Sequence, residues 1–465
     1  MNTKNTQRHQ NSPVEPAAPS LSRQEEGHSQ EFSARTSRSH HRRVAPHFES
    51  HPGERFELTG ALGSGDNSGM KMVCALGLIF SGVTILADFA VRVESGEKEY
   101  QNAIVRARVA NEQLPAYGSL ASAKASVVFQ RSGRNEIIFV IPNLPRQSVQ
   151  RFTYSKSSQE PRGDAASADL LEGKITLTVG EKKVLVYQGQ ESALPRPEIK
   201  PEFARGGYIH PVFGPSGRQI TDDYPANHVH HHGIWFPWTK TTFEGRDVDF
   251  WNMGQKKGKV EFVKFAERWS GPVMAGFQAE HRFVDLTPAT PKAALNESWT
   301  VSTYNLSGAK FFVFDLVSTQ TCATASPLVL PKYYYGGLGF RGNWAWNGAQ
   351  KTFFLTSNGE TDRKTGNETR GNWCHMSGDV DGTRTGIAIL SHPENFRSPQ
   401  PMRLHPTEPF FCFAPSQLGD WSIEPGKPYV SKYRFVVSDG EPDKAQIDAL
   451  WEAYANPPKV WVEKL

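Results

Sequence analysis

Cysteine is scarce in this chain. There are four in 465 residues, Cys74, Cys322, Cys374 and Cys412, and none has the spacing of a zinc site. Cys74 falls in a candidate export signal. The other three allow at most one disulfide and read as small buried apolar groups. An excess of one charge is missing too: 52 Lys and Arg are interleaved with 48 Asp and Glu. That leaves no basic stripe for nucleic acid. Paired carboxylates, a nucleophile elbow and a phosphate loop are absent as recognisable patterns; Gly336-Gly-Leu-Gly339 is followed by no helical pattern. Long apolar runs are limited to the one that begins at Met72, which is short for a bilayer span of about 20 residues.

Glycine, proline and aromatics are plentiful, at 40 Gly, 32 Pro and 11% Phe, Trp and Tyr. They suit a turn-rich protein with a large core. Residues 1–69 are poor in large aliphatics and are expected to be disordered, or an extension upstream of a true start at Met70 or Met72. Segment 70–87 has a Lys, an apolar run and a terminal Ala87, the pattern of a secretory signal peptide. Export to the periplasm or beyond follows, with no stable membrane span in the mature form. The alternative is a signal anchor through residues 70–87.

From Asp88 onward, short alternating apolar runs such as Phe89-Ala-Val-Arg-Val and Glu136-Ile-Ile-Phe-Val-Ile read as strands. A small β domain is expected over 88–170. Residues 171–456 continue in longer strands and are expected to form a large antiparallel double-sheet sandwich, an all-β fold. Helical spacing is confined to Asp443–Ala455, with Ile447, Leu450, Trp451 and Tyr454 on one face. Residues 457–465 read as a tail.

Four histidines stand within five residues, at His228, His230, His231 and His232. The chain has 15 His, six of them before residue 70, so the cluster holds four of the nine in the part expected to fold. Imidazole titrates near neutrality and ligates metals, so such a knot suits proton transfer or metal binding. Extended from 228 to 236, the segment would place His228, His230 and His232 on one face; Pro225 and Gly233 make a loop an equal alternative. Asp223 could fix one imidazole's tautomer and raise its basicity. As a metal site, His228 and His230 with a carboxylate would suit a divalent ion. The bland alternative is a hydrogen-bonded His-rich turn.

Around the cluster lie His210, Arg218, Trp238, Trp251 and Asn252. Trp235, Trp344, Trp346 and Tyr333-Tyr334-Tyr335 add aromatic faces of the kind that pack on sugar rings, though most large aromatics belong in a core. A third polar segment, Ser391-His392-Pro-Glu-Asn395-Phe-Arg397 running on to His405, reads as a functional loop or a charged surface loop.

Five motifs carry a resemblance: Gly207-Tyr-Ile-His210-Pro, Asp223-Tyr-Pro with His228-Val-His-His-His-Gly233, Val248-Asp-Phe-Trp-Asn252, Tyr335-Gly-Gly-Leu-Gly-Phe-Arg341 and His392-Pro-Glu-Asn-Phe-Arg397. In that order they resemble a bacterial family labelled "methane oxygenase PmoA", over residues 88 to 456. In that family's pattern the positions of His228, His230 and His231 recur and that of His232 varies. Methane oxidation is not expected, because that chemistry belongs to a subunit of transmembrane helices. The resemblance implies an exported protein of carbohydrate-degrading bacteria and a sandwich similar to the galactose-mutarotase supersandwich. The expected ligand is thus a carbohydrate or a sugar-derived small molecule, not nucleic acid. The expected chemistry is acid–base, of epimerase, lyase or hydrolase type, by His228, His230, His231 and Asp223. His210, Arg218, Trp238, Trp251, Asn252, Arg341, His392, Asn395 and Arg397 would hold the substrate. The alternatives are a non-catalytic sugar-binding protein and a His-ligated metalloenzyme on another substrate; no cofactor is certain, and a divalent metal is the one candidate.

Overall fold

A computed structural model describes residues 89–109, 114–154 and 165–465. The expected extension, 1–69, and the export signal, 70–87, lie outside the described residues. Among the described residues no helix is long and apolar enough to cross a membrane.

Two large antiparallel sheets make the body of the fold. Eight strands form one, in the order Gly258–Trp269, Met274–Asp285, Lys292–Tyr304, Phe311–Cys322, Tyr429–Asp439, Thr383–Ser391, Trp373–Val380 and Phe353–Thr356. Nine form the other, in the order Arg370–Gly371, Gln400–Leu404, Phe410–Phe413, Gly339–Arg341, Ile234–Trp235, Tyr208–Val212, Lys182–Gln188, Lys174–Val179 and Ala166–Leu171. The fold is therefore an all-β sandwich, with a four-stranded sheet at its side.

Side chains alternate across a strand, so each sheet has two faces to cover. In the eight-stranded sheet both are buried over the strands Phe311–Cys322, Tyr429–Asp439 and Thr383–Ser391. Phe312, Phe314, Ile387, Phe435 and Val437 point into the core between the large sheets, while Val313, Ala388, Leu390 and Val436 point away from it. That outer layer is covered by helix Lys444–Ala455, through Ile447 and Leu450, and by Ile138 of the small sheet. Asp443 caps the helix by accepting the Gln446 N–H at 3.1 Å, which satisfies one of its first free donors. Double burial explains the unbroken apolar stretch Ile387-Ala-Ile-Leu390.

The segment expected as a small β module supplies six strands of a seven-stranded sheet with its own core. Residues 457–465, read as a tail, supply the seventh: Lys459–Lys464 pairs antiparallel with Phe89–Glu94.

The nine-stranded sheet is different, and it positions the site. Ile209, Ile234, Phe236, Phe340, Phe411 and Phe413 face the main core. The intervening Tyr208, Trp235 and Cys412 form a separate small cluster on the other face, with Trp251, Phe410 and Ala414. Loops cross that face rather than another sheet.

Tight approach of backbones joins two inner strands of this sheet, Lys182–Gln188 and Tyr208–Val212. A Cβ at Gly206 would lie 1.9 Å from the Gly189 carbonyl oxygen, which is backbone and cannot swing away. Gly206→Ala is expected to destabilise the chain by about 1–3 kcal/mol, the usual range for overpacking. A thermal melt beside the parent protein checks this; an unchanged midpoint would contradict the packing.

Candidate active site

The His segment is a loop, not a strand: only Ile234–Trp235 pairs in the sheet. The Tyr224 N–H donates to the His231 carbonyl at 3.1 Å, and the His231 N–H to the His228 carbonyl at 2.8 Å. Tyr224 has a φ of 49°, a left-handed conformation that costs of order 1 kcal/mol and persists only under such constraint.

This folding brings His228, His230 and His231 together. Their ring centroids are 4.8 Å apart for His228 and His231, 4.7 Å for His230 and His231 and 5.8 Å for His228 and His230. His231 is buried against Trp235, Phe410 and Trp251. His405, from the third polar segment, joins them 5.9 Å from His228.

His232 turns away and is fully buried. Its Nδ1 lies 2.6 Å from Asp223 Oδ1, and the Tyr208 hydroxyl donates to Asp223 Oδ2 at 2.9 Å. The imidazole that Asp223 orients is thus the one the family pattern had discounted. The correction has a local cause, since the turn at His228 to His231 reverses the parity that an extended segment would have. His210 stands beside this pair, with Nδ1 3.0 Å from the Thr221 hydroxyl.

Burial dominates the titration of the site. It pushes Asp223 up to about 6, against the opposing pull of His210, Tyr208 and Arg205. It holds His230 down at about 3 and His405 at about 4. His231 and His232 lie well below the ordinary range for the same reason, and His210 and His228 are lowered too. The imidazoles are therefore neutral at neutral pH.

Unpartnered buried polar atoms concentrate around the cluster. Among the described residues they include His228 Nδ1, His231 Nδ1, His232 Nε2, Trp235 Nε1, Trp251 Nε1 and Arg341 Nε and Nη1. Most buried polar groups in proteins are hydrogen-bonded, so a local excess calls for an explanation.

Beside the cluster opens a cleft of about 500 Å³, lined by His230, Thr239, Lys240, Asp249, Asn252, Tyr333 and Tyr335 among others. Asn252 Nδ2 donates to Asp249 Oδ2 at 2.8 Å and to the Tyr335 hydroxyl at 3.1 Å, and Asp249 Oδ1 accepts the Trp251 and Asn252 N–H groups. The amide is thereby held with a fixed face to the cleft.

Other expected site residues lie elsewhere. Trp238 is in the main core, its indole N–H donating to Gln320 Oε1 at 2.7 Å. Trp251 backs the cluster, edge-on to Tyr335. Arg341 is fully buried and donates to Asn227, Asn347 and Glu408. Arg218 sits in a turn where its carbonyl accepts the Gly214 N–H, and none of the cluster's described contacts reaches it. His392, Asn395 and Arg397 staple their own loop: His392 packs on Tyr454, Asn395 bonds the Lys432 backbone, and Arg397 donates to the carbonyls of Pro415, Gly419 and Asp420. That dense polarity serves backbone satisfaction. Asp249, Tyr333 and Tyr335 also enter the cleft; Asp249 and Tyr335 stand in two of the five motifs and the tyrosines read as aromatic faces, but none of the three was expected among the site residues.

Among the described residues no group of three or more His, Cys, Asp or Glu is placed to hold an ion.

No curated protein matches the sequence. Among solved structures, a glycosyl hydrolase family 38 protein of Enterococcus faecalis is similar at 9% identity, with TM-score 0.37, over 82% of this chain and 47% of its own. An alpha-mannosidase of Enterococcus faecalis V583 is similar at 10% identity, with TM-score 0.38, over 82% of this chain and 46% of its own. A galactose mutarotase related enzyme of Lactobacillus acidophilus is similar at 10% identity, with TM-score 0.22, over 58% of this chain and 97% of its own. This chain thus spans about half the length of the first two. The model of a family of unknown function, DUF6807, matches residues 174–452, and its description carries no methane-oxygenase label. That match covers more than half of the sequence, including the eight-stranded sheet, eight strands of the nine-stranded one and the whole His loop, and the chain belongs to the DUF6807 family.

Proposed function

We propose that this is a carbohydrate-active protein that receives a sugar in the cleft beside the His loop. The observation that carries the reading is a cleft with tyrosine walls and fixed amide and carboxylate groups, set against a bank of neutral, partly unpartnered imidazoles. A sugar ring offers an apolar face to Tyr333 and Tyr335 and hydroxyls to Asn252, Asp249 and His230. Neutral imidazoles both donate and accept, which suits hydroxyls.

Proton transfer needs a group whose pKa lies near the working pH. Asp223, at about 6, meets that condition, and His230, at about 3, does not. In this reading Asp223 is the acid–base group, while His228, His230 and His231 bind. A second reading, binding without turnover, is favoured by the low basicity of His230, the imidazole that lines the cleft.

One screen separates the two readings. The full chain is titrated with mono- and oligosaccharides by tryptophan fluorescence, and the binders are followed by NMR for reaction. Asn252→Ala is expected to weaken binding about tenfold, the value of a lost hydrogen bond and its stranded partners. Asp223→Asn should keep binding and lower turnover about 100-fold or more. Binding with no reaction leaves the second reading; no saccharide bound at all rejects both.

A further inference from the structure

The apolar wall of the cleft does not stop at its rim. Tyr334 is 47% exposed, and its ring lies 4.6 Å from that of Tyr333 and 4.9 Å from that of Tyr335. The three tyrosines make one strip that leads from the cleft onto open surface. An exposed aromatic carrying no core contact of its own is the kind of feature that marks a binding surface.

At the end of the strip stands Arg403. Its strand pairs it with Cys412, which belongs to the outer cluster of the nine-stranded sheet, so its side chain rises on the same face as the His loop. The guanidinium carbon lies 5.4 Å from the centre of the Tyr334 ring. Nη1 donates to the neutral Asn367 Oδ1 at 3.2 Å. None of the ion pairs found among the described residues includes Arg403, whereas the nearby Arg341 is paired with Glu408.

The charge beyond it has the same sign. Arg403 also lines a depression of about 770 Å³ together with Arg363, Lys364 and Arg384, against the carboxylates Asp362 and Glu441. Arg384 is paired with Asp379 and Glu441, whereas none of the ion pairs found among the described residues includes Arg363, Lys364 or Arg403, which leaves that surface with an excess of cations. A planar guanidinium braced on a ring and lacking a carboxylate is built for a planar carboxylate from outside.

We propose that Tyr334 and Arg403 form a second subsite that takes a carboxylated sugar unit next to the cleft, so that the ligand is an acidic oligosaccharide. This rests on the sugar reading of the cleft and names its substrate class. Tyr334 receives the apolar face of the second ring, and Arg403 receives the carboxylate.

The test is calorimetric titration of the full chain with two probe series. One is glucuronate- and galacturonate-containing di- and trisaccharides; the other is the same compounds with the carboxylate reduced to a hydroxymethyl group. The acidic series is expected to bind about tenfold or more tightly, as a charge-assisted hydrogen bond implies, with the gap narrowing in salt. Arg403→Gln should close the gap and leave the neutral series unchanged, and Arg403→Lys should restore part of it. Tyr334→Ala should remove the gain from the parent monosaccharides to the disaccharides in both series. Equal affinity for the two series, or a gap that survives Arg403→Gln, overturns the subsite and leaves the cleft reading standing. No binding in either series overturns both.

Discussion

Replacing Glu297 by Ala is expected to cost about 3–5 kcal/mol, the range for removing one partner of a buried charged network. The carboxylate is 1% exposed and lies between the two large sheets. Its Oε2 is 2.9 Å from His281 Nδ1, and its Oε1 accepts from the Ser318 hydroxyl at 2.6 Å and the Gln320 amide at 2.8 Å. The network continues on both sides. His281 Nε2 meets the Tyr187 hydroxyl, and Gln320 accepts from Trp238. The buried Arg205 draws on Glu297 as well; burial lowers its affinity for a proton, and Tyr224, Tyr208, Glu297 and Tyr187 oppose that. Alanine would strand three donors and deprive Arg205 of a counter-charge. Such a loss is a large part of a typical domain's total stability of about 5–15 kcal/mol. Glu297→Gln keeps the volume and should lose less. Replacing the exposed Glu267 by Gln should move the midpoint by less than about 0.5 kcal/mol. Urea denaturation of the three variants decides it. If Glu297→Ala is as mild as Glu267→Gln, the network is not closed as described.

None of these partnerships was legible in the sequence. Glu297 and His281 sit in strands that read simply as alternating, and register between neighbouring strands is what sets them side by side. The strands themselves were readable because apolar alternation is local, as in Phe311–Cys322 and Tyr429–Asp439. The capped helix at Lys444–Ala455 was readable for the same reason. The site was legible only in part. Proximity in sequence placed His228, His230 and His231 correctly together. Which imidazole meets Asp223 depended on a loop whose path is closed by backbone bonds from Tyr224 and His231. His405 reached the cluster from 170 or more residues away, through a strand crossing that no spacing announces. The polar run at His392–Arg397 misled because free carbonyls at the ends of a long loop demand donors as strongly as a ligand does.

Acid should weaken the fold through the His loop, and one substitution should reverse the effect. A group whose folded pKa is depressed contributes stability that is present above its unfolded pKa and is lost as pH falls toward the folded value. An unfolded His titrates near 6.5. His231 lies well below that because of its burial, so its stabilising contribution is whole at pH 8 and falls away through pH 6.5 and downward. By pH 5 the loss is about 2 kcal/mol for each fully buried imidazole, since the unfolded chain takes up a proton that the fold refuses. Asp223 acts in the opposite sense. Raised to about 6, it contributes stability that is complete below its unfolded value near 4 and is lost as pH rises through 6. One carboxyl offsets part of the effect of the several depressed imidazoles, and the net slope favours unfolding in acid. His231→Phe isolates the term. The ring is packed between Trp235 and Phe410, so Phe conserves shape, removes an unpartnered nitrogen and cannot be protonated. At pH 8 the variant should match the parent within about 1 kcal/mol; at pH 5 it should be the more stable by about 2 kcal/mol. Urea midpoints measured every half pH unit between 8 and 5 give the difference directly. Parallel curves would mean that His231 accepts its proton in the folded state, and then the cluster would be a solvated turn with ordinary titration rather than a dry bank of neutral imidazoles behind the cleft.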